Sequence, residues 1–588
     1  MPTLAVVSFN IVCATLGGFI AVYGLVSYLL KERYYMSEAL ISLIAGVIFS
    51  PSATNLIRPL EYALGDEETL ETITLYFVRL VLGVQLVIAG VQLPSRYLRI
   101  EWKSLSWLLG PGMMGMWVCT SLLVWAFVPH ITFVYALAVG ACVTPTDPIL
   151  SNTIVKGRFA DKNIPKELQK IIIAESGSND GLGYPFLFLP LYLIRYTLQG
   201  NHSAGAAMGL WFYETWIYQI VLGTIYGAVV GWLAKETLHW AEGKGYVDRE
   251  SFLVFAVALA LFIVGTAGMI GSDDVLACFI AGNTFTWDDW FRQETLDDSL
   301  QPTIDMLLNV AVFIWFGAVC PWNMFAHNSV IPIWRLVLLG ITVLLFRRLP
   351  VVMAMHKQIH QIEELKQAWF VGFFGPIGVS AIFYLYVTLE YLRASVTDHG
   401  HEREDAVKLG EIMTVVIWFL VVCSIVVHGL SIPLGTLGFY IPRTLSQALS
   451  SENNSNSTFH VQNPAHTSTS NLRFRPSNEA GQPGIPVPNG VYRIGRSLIP
   501  GKTSSDASKT ASRNMSKHET TRKSSPAGKN VVETAAGLGS EQPTPSDKAI
   551  SLPPLDGEAT ATGRIAGPAG RSIRFPDETN DKIGPAER

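Results

Sequence analysis

Two acidic side chains lie inside long apolar segments, where an ionisable group is rare. Asp147 belongs to the run TPTDP at residues 144–148, and Asp180 ends the run ESGSND at residues 175–180. A charged side chain within a bilayer costs roughly 3 kcal/mol or more on insertion scales, so such residues usually mark an ion or proton path. The two carboxylates therefore indicate a cation site at membrane depth.

Further oxygen-bearing side chains accompany Asp180 on the same predicted helix. Ser176 precedes Asp180 by four residues, so the two side chains share one helical face. Glu175 and Asn179 have the same spacing and share the adjacent face. With Asp147 opposite, these groups predict an oxygen-lined pocket of the kind that suits a hard cation such as Na+.

Proline and glycine interrupt two of the apolar segments. Pro145 and Pro148 flank the first acidic residue, and Gly375, Pro376 and Gly378 interrupt a segment late in the chain. Irregular backbone at membrane depth is tolerated only where it lines a cavity or a site. The interrupted segments are the fifth and twelfth predicted spans, so they cross in opposite directions. Such pairs are typical of inverted-repeat secondary transporters, which bind substrate where the two breaks meet.

Composition predicts an all-α polytopic membrane protein. Hydrophobic residues make up 49% of the 588, charged residues only 15%, and mean hydropathy is +0.32. About thirteen apolar runs approach the roughly 17–25 residues that cross a bilayer. They cover residues 4–30, 36–54, 73–94, 105–128, 131–155, 168–194, 209–234, 251–270, 272–287, 303–325, 331–355, 365–392 and 411–438. The ninth run is short, and a re-entrant ninth segment would leave twelve spans.

The distribution of basic residues predicts the orientation. Loops assigned to the inside hold roughly 18 Lys and Arg residues, against roughly 7 in the outside loops and margins. This bias places the N-terminus outside and the C-terminus in the cytoplasm. Residues 1–440 then form the transmembrane domain. Residues 441–588, rich in Ser, Thr, Pro and Gly, form a disordered cytoplasmic tail.

Several classes of function are excluded by composition and motifs. A net charge of −4 argues against a nucleic-acid partner, and the chain contains no GxxxxGK[ST] phosphate-binding loop. We therefore expect no cofactor and no enzymatic activity. Two rivals to a transporter stay open: a gated cation channel, and an intramembrane aspartyl protease, which also places two Asp residues in the bilayer.

Glu175 needs a partner, because an unpaired carboxylate in the membrane is costly. Arg347 and Arg348, near the inner end of the eleventh span, are the best candidates. A buried pair of this kind would hold two helices in register.

Together these segments resemble the monovalent cation/proton antiporters. The similarity is to the signature segments of the branch whose members carry an Asn-Asp pair. It is found at residues 144–148, 175–181, 271–274, 347–351 and 373–378. That branch includes the NHE-type exchangers, and the match is strongest to the fungal plasma-membrane sodium/proton antiporters. The resemblance covers roughly residues 5–440 and does not include the tail.

The resemblance implies roles for individual residues. Asp180 would carry H+ and the cation alternately, with Asp147, Ser176 and the backbone carbonyl of Thr146 completing the coordination. Asn179 would brace the two broken helices, and Arg347 would pair with Glu175. Asp273 and Asp274, placed near the outer surface, would form an ion funnel of secondary importance.

The resemblance also implies a physiological role. We expect a homodimer in the plasma membrane that exchanges Na+, and also Li+, K+ and Rb+, for H+. Such exchange would remove alkali cations from the cell and support pH and salt homeostasis.

Overall fold

A computed structural model of the chain describes residues 7–155, 158–197, 204–398, 401–453, 491–494 and 497–500. The chain divides into two compact units, residues 1–463 and residues 464–588. Within the described part of the second unit, strands β3 (Val491–Ile494) and β4 (Ser497–Pro500) form an antiparallel hairpin.

The first half of the first unit is helical. Its helices are α1 (Ser8–Tyr28), α2 (Glu38–Phe49), α3 (Pro59–Tyr62), α4 (Glu67–Gln92), α5 (Tyr97–Ile100), α6 (Trp102–Trp107), α7 (Met113–Phe127), α8 (Phe133–Cys142), α9 (Pro148–Val155), α10 (Arg158–Asn163), α11 (Lys166–Gly181), α12 (Gly183–Thr197) and α13 (Ala204–Leu210). Wider π-helical turns occur at Leu29–Arg33, Leu108–Gly112 and Trp211–Val221.

The second half continues in the same way. Its helices are α14 (Leu222–Gly243), α15 (Arg249–Ile270), α16 (Asp274–Phe285), α17 (Trp290–Glu294), α18 (Leu300–Val319), α19 (Trp322–Ala326), α20 (Ile333–Phe346), α21 (Leu349–Met355), α22 (Leu365–Phe373), α23 (Val379–Ser395) and α24 (Glu404–Asn453). A 3-10 turn spans His356–Gln358, and β1 (Thr397–Asp398) pairs with β2 (His401–Glu402).

The predicted all-helical membrane fold is confirmed. In the described ranges, eight helices are long and apolar enough to cross a membrane. Each predicted span coincides with a helix or with helices in succession, although the number of crossings stays a prediction. The doubtful ninth span is α16, whose twelve residues extend about 18 Å at 1.5 Å per residue. That length is well short of a bilayer core of about 30 Å.

Both predicted helix breaks are present. Residues 143–147 separate α8 from α9, and residues 374–378 separate α22 from α23. Pro148 is the first residue of α9, where its missing N–H costs no helical hydrogen bond. Proline also disfavours helical backbone at the residue before it, so the chain cannot continue helically into this position.

The helix that carries Asp180 packs closely against α16. A Cβ atom at Gly177 would overlap the Phe279 ring, and one at Gly181 would overlap Leu276. Glycine at these two positions therefore lets the helices approach each other. The helix is interrupted at Leu182, between α11 and α12, where the Tyr384 hydroxyl on α23 donates a hydrogen bond to the Asp180 carbonyl.

The last helix of the unit extends beyond the predicted domain boundary. α24 continues through residue 453, whereas the sequence places the start of the tail at residue 441. Apart from this extension and the hairpin at residues 491–500, the predicted disordered tail lies outside the described residues.

Candidate functional site

Asp180 is fully buried near the C-terminal end of α11, with an exposed fraction of 0%. Neither of its carboxylate oxygens has a hydrogen-bond partner among the residues that the structure describes. The hydroxyl of Ser380, on α23, lies beside the carboxylate but outside hydrogen-bonding geometry. A buried, unpartnered carboxylate is costly for a fold to keep, so it is a strong candidate for ligand binding.

Asp147 joins the two broken helices at their breaks. Its backbone N–H donates to the Pro376 carbonyl at 3.0 Å. Its carboxylate accepts from the Val379 amide at 3.3 Å and from the Ile149 amide at 3.2 Å. Amides in the first turns of α23 and α9 therefore face this carboxylate, and helix N-termini favour negative charge. Gly378 has no room for a side chain, because a Cβ atom would overlap the Asp147 carboxylate.

Asn179 connects α11 to the first break. Its Oδ1 accepts from the Thr146 amide at 3.1 Å, and its Nδ2 donates to the Thr146 hydroxyl at 2.8 Å. The same hydroxyl lies 3.1 Å from the Ser176 hydroxyl, which lies 3.2 Å from that of Ser151. The structure thus brings Ser176, Asn179 and Thr146 together and adds Ser151, which the sequence analysis did not single out. Their role as cation ligands stays a prediction.

Arg347 is buried between the two breaks. Its guanidinium donates to the carbonyls of Val143 and Gly375, one from each break, and lies 3.3 Å from the Pro145 carbonyl. These carbonyls have lost their helical partners, and a five-donor guanidinium can satisfy several of them at once. Arg347 therefore holds the unwound segments together.

Arg348, the next residue, pairs with Glu175. The Nη1–Oε1 and Nη2–Oε2 distances are 2.5 and 2.7 Å, and both side chains are buried. The expectation that Glu175 pairs with Arg347, which the resemblance implied, is therefore wrong. α20 ends at Phe346 and α21 begins only at Leu349. Both arginines have helical backbone angles, and adjacent residues of a helix point about 100° apart, so they face different partners.

Two further polar residues, missed by the sequence analysis, stabilise the second break from α24. Ser424 accepts from the Ile377 amide at 2.7 Å, and His428 Nε2 lies 3.1 Å from the Phe373 carbonyl. Their hydroxyl and Nδ1 atoms are 3.1 Å apart. The four-residue spacing of these polar residues in an apolar helix was an available signal.

Asp273 and Asp274, at the start of α16, are both buried within the protein, and their expected position near the outer surface of the membrane stays a prediction. Asp273 caps α16 through a bond from the Leu276 amide at 2.9 Å, and its Oδ2 has no partner within the described ranges. Asp274 forms an ion pair with Arg79 on α4 at 2.7 Å. The two acidic neighbours therefore have different environments.

The chemistry of the site is that of oxygen donors. Within the described part of the chain, His, Cys, Asp and Glu side chains form no group of three or more that could hold a metal ion. A cation beside Asp180 would instead need hydroxyl and carbonyl oxygens in addition to carboxylates. These are the ligands that hard cations prefer.

Comparison with known proteins gives consistent matches. The family model for transmembrane sodium/hydrogen exchangers matches residues 18–435. A Na(+)/H(+) antiporter of Saccharomyces cerevisiae is 36% identical over 74% of this chain and 44% of its own length. One from Schizosaccharomyces pombe is 32% identical over 71% of this chain and 88% of its own. Na(+)/H(+) antiporter 2 of Zygosaccharomyces rouxii is 35% identical, over 76% of this chain and 55% of its own length.

A solved structure shows the same fold. The sodium proton antiporter MjNhaP1 from Methanocaldococcus jannaschii superposes with a TM-score of 0.52 at 17% identity, covering 73% of this chain and 98% of that one. The chain spans only about half the length of the Zygosaccharomyces and Saccharomyces relatives.

Proposed function

The chain belongs to the family of transmembrane sodium/hydrogen exchangers, and from this premise we propose that it exchanges Na+ for H+ across a membrane. The observation that carries the proposal is the Asp180 carboxylate, which is buried and unpartnered within the described residues. It lies on α11 beside the break that contains Thr146 and Asp147. An ionisable group so placed in a membrane fold serves an ion or proton path.

The proposed mechanism is competition for one carboxylate. Asp180 binds either H+ or the cation, and the transport unit reorients only when one of them neutralises the charge. A bare carboxylate would be costly to move past the apolar barrier, so empty turnover is suppressed. Asp147, Ser176 and Thr146 would supply the remaining oxygens, since the Thr146 and Ser176 hydroxyls lie 3.1 Å apart beside the break.

The supporting residues would keep this geometry during transport. Asn179 holds Thr146, Arg347 holds the carbonyls of both breaks, and the Glu175–Arg348 pair fixes α11 against the segment between α20 and α21. Because these contacts join both breaks to α11, the site would move as one body.

The physiological assignment extends the same proposal. We place the protein in the plasma membrane as a homodimer, with the N-terminus outside and the C-terminus in the cytoplasm. Its cations would include Li+, K+ and Rb+ besides Na+, and its role would be cation efflux and pH and salt homeostasis. The fungal relatives of similar sequence are named Na(+)/H(+) antiporters, which supports the antiport part of this assignment.

The test uses the full chain purified into liposomes that contain a pH-sensitive dye. Na+ added outside should drive protons out of an acidified lumen, and should still do so when the membrane potential is clamped at zero. Sodium flux without proton movement would contradict the proposal and favour the gated channel. Repeating the measurement with Li+, K+ and Rb+ gives the cation range.

A further inference from the structure

A second group of polar side chains lies between α4 and α18, apart from the site described above. It consists of Gln85 on α4 and of Asp305 and Asn309 on α18, which are four residues apart and share a helical face. Gln85 and Asn309 are each 3% exposed, and Asp305 is half-buried. The proposed mechanism uses none of the three residues.

The hydrogen bonds of this group converge on one nitrogen. Gln85 Nε2 donates to Asp305 Oδ1 at 3.0 Å and to Asn309 Oδ1 at 2.7 Å. The other atom of the same amide, Gln85 Oε1, is buried and has no partner among the described residues. Two oxygens therefore face an amide whose own oxygen is free.

A half-turn of the Gln85 amide would change what this group can bind. The turn exchanges Oε1 with Nε2, because the two atoms are carried by the same carbon. Three oxygens, one of them from a carboxylate, would then face a common point. Such oxygens repel one another unless a cation lies between them, and carboxylate and amide oxygens are suitable ligands for a hard cation.

The position of the group relates it to the main site. Asp305 lies about 8 Å from the start of α18, and Gln85 about 10 Å from the end of α4, at 1.5 Å per residue. α9, which begins directly after Asp147, also contacts α4. Asp305 is close enough to Asp147 for the two carboxylates to interact electrostatically. In the predicted orientation, the start of α18 and the end of α4 face the cytoplasm, so the group lies in the cytoplasmic half of the membrane.

We propose that Gln85, Asp305 and Asn309 form an access site for the alkali cation on its cytoplasmic route to Asp147. This inference rests on the proposed exchange function. Half-buried Asp305 attracts the hydrated ion, and the buried amide oxygens replace part of its water. The Gln85 amide donates to Asp305 when the site is empty and presents Oε1 when Na+ is bound.

The experiment measures the Na+ dependence of exchange by the full chain in liposomes. The first variant is Asp305→Asn, which keeps an oxygen to accept from Gln85 but removes the charge. The second is Gln85→Met, which keeps the side-chain volume but removes the free oxygen. The matched control is Asp297→Asn, the same chemical change at an exposed acidic residue eight positions earlier. A thermal unfolding transition close to wild type establishes that each variant is folded.

The expected result is a change in KM with little change in kcat. Asp305→Asn should raise the KM for Na+ by about fivefold or more, because the access site loses its carboxylate ligand. Loss of a residue that stabilises the bound ion equally in the ground state and in the transition state changes KM alone. A structural defect in the protein would instead lower kcat. Gln85→Met should give a smaller rise, and the double variant should be non-additive because both residues serve one site.

A second measurement separates coordination from remote attraction. At about 1 M choline chloride the Debye length falls to about 3 Å, so long-range attraction is screened. The KM difference of Asp305→Asn should persist there. The inference would be overturned if the KM of Asp305→Asn equalled that of the wild type or of Asp297→Asn. It would also be overturned if the KM difference disappeared in choline chloride. Failure of the wild type to exchange Na+ for H+ would instead contradict the proposed function itself.

Discussion

Arg348 binds Glu175 through two parallel hydrogen bonds of 2.5 and 2.7 Å, while its neighbour Arg347 contacts only backbone carbonyls among the polar partners that we observe. Adjacent arginines thus have separate tasks. One neutralises a buried carboxylate on α11, and the other joins the two helix breaks. Arg348→Lys is not a conservative substitution here, because an ammonium group cannot form the bidentate contact with the Glu175 carboxylate.

The Glu175–Arg348 pair should behave as a coupled unit in stability. Glu175→Gln or Arg348→Met alone leaves a buried charge unpaired, and we expect each to cost about 3–5 kcal/mol. The double variant should recover part of this loss, as measured by thermal unfolding in detergent. Combining Glu175→Gln with Arg347→Met is the control, and it should show markedly weaker coupling. If Glu175 were coupled equally to Arg347 and to Arg348, the assignment of Arg348 as its partner would be contradicted.

Gly378 should be intolerant of the smallest side chain. In Gly378→Ala the new Cβ atom would displace the Asp147 carboxylate, and a misplacement of about 1 Å at a reacting group can cost roughly 100-fold in rate. We therefore expect Na+/H+ exchange in liposomes to fall at least about tenfold. Gly265→Ala, whose Cβ would have no atom within 4 Å, is the matched control and should exchange normally. Normal exchange by Gly378→Ala would mean that the break relaxes without consequence.

His428 should act by positioning the second break. Its Nε2 lies 3.1 Å from the Phe373 carbonyl, so His428→Leu leaves that carbonyl without this contact. We expect a lower kcat for exchange with little change in KM for Na+. His428→Gln can still donate a hydrogen bond and should restore at least part of the rate. Equal rates for the Leu and Gln variants would argue that packing alone matters at this position.

The second unit should be dispensable for exchange. All residues of the proposed site and of the access site precede residue 430, and the first compact unit ends at Asn463. Deleting residues 464–588 should therefore leave the exchange rate in liposomes close to that of the full chain. A folded but inactive truncation would place part of the machinery in the second unit.

The sequence predicted those parts of the structure that follow from local spacing. Pro145 and Pro148 predicted the first break, because proline lacks the N–H that would bond to the preceding helical turn and disfavours helical backbone at the residue before it. The four-residue spacing of Ser176 and Asp180 placed both on α11, and Asn179 was expected to brace the break, to which it is hydrogen bonded. Each of these inferences depends on backbone geometry within a few residues.

The sequence did not predict contacts that depend on how distant helices pack. The choice between Arg347 and Arg348 depends on which of the two side chains faces α11, which neighbouring residues do not specify. The contacts of Ser424 and Tyr384 require α24 and α23 to lie against particular carbonyls and amides. The burial of Asp273 likewise depends on the close approach of α14, where a Cβ atom at Gly223 would overlap the Asp273 carbonyl, and only the structure reveals this approach.

The central claim is that Asp180 carries the proton and the cation in turn, and Asp180→Asn tests it most directly. The variant should fold, with a thermal transition at least as high as wild type, because it replaces a buried, unpartnered carboxylate with a neutral amide. Ser176→Ala, which removes one neutral oxygen, is the milder comparison and should mainly raise the KM for Na+. In liposomes that contain a pH-sensitive dye, Asp180→Asn should show no Na+-dependent proton movement. Exchange by Asp180→Asn at the wild-type rate would contradict the account.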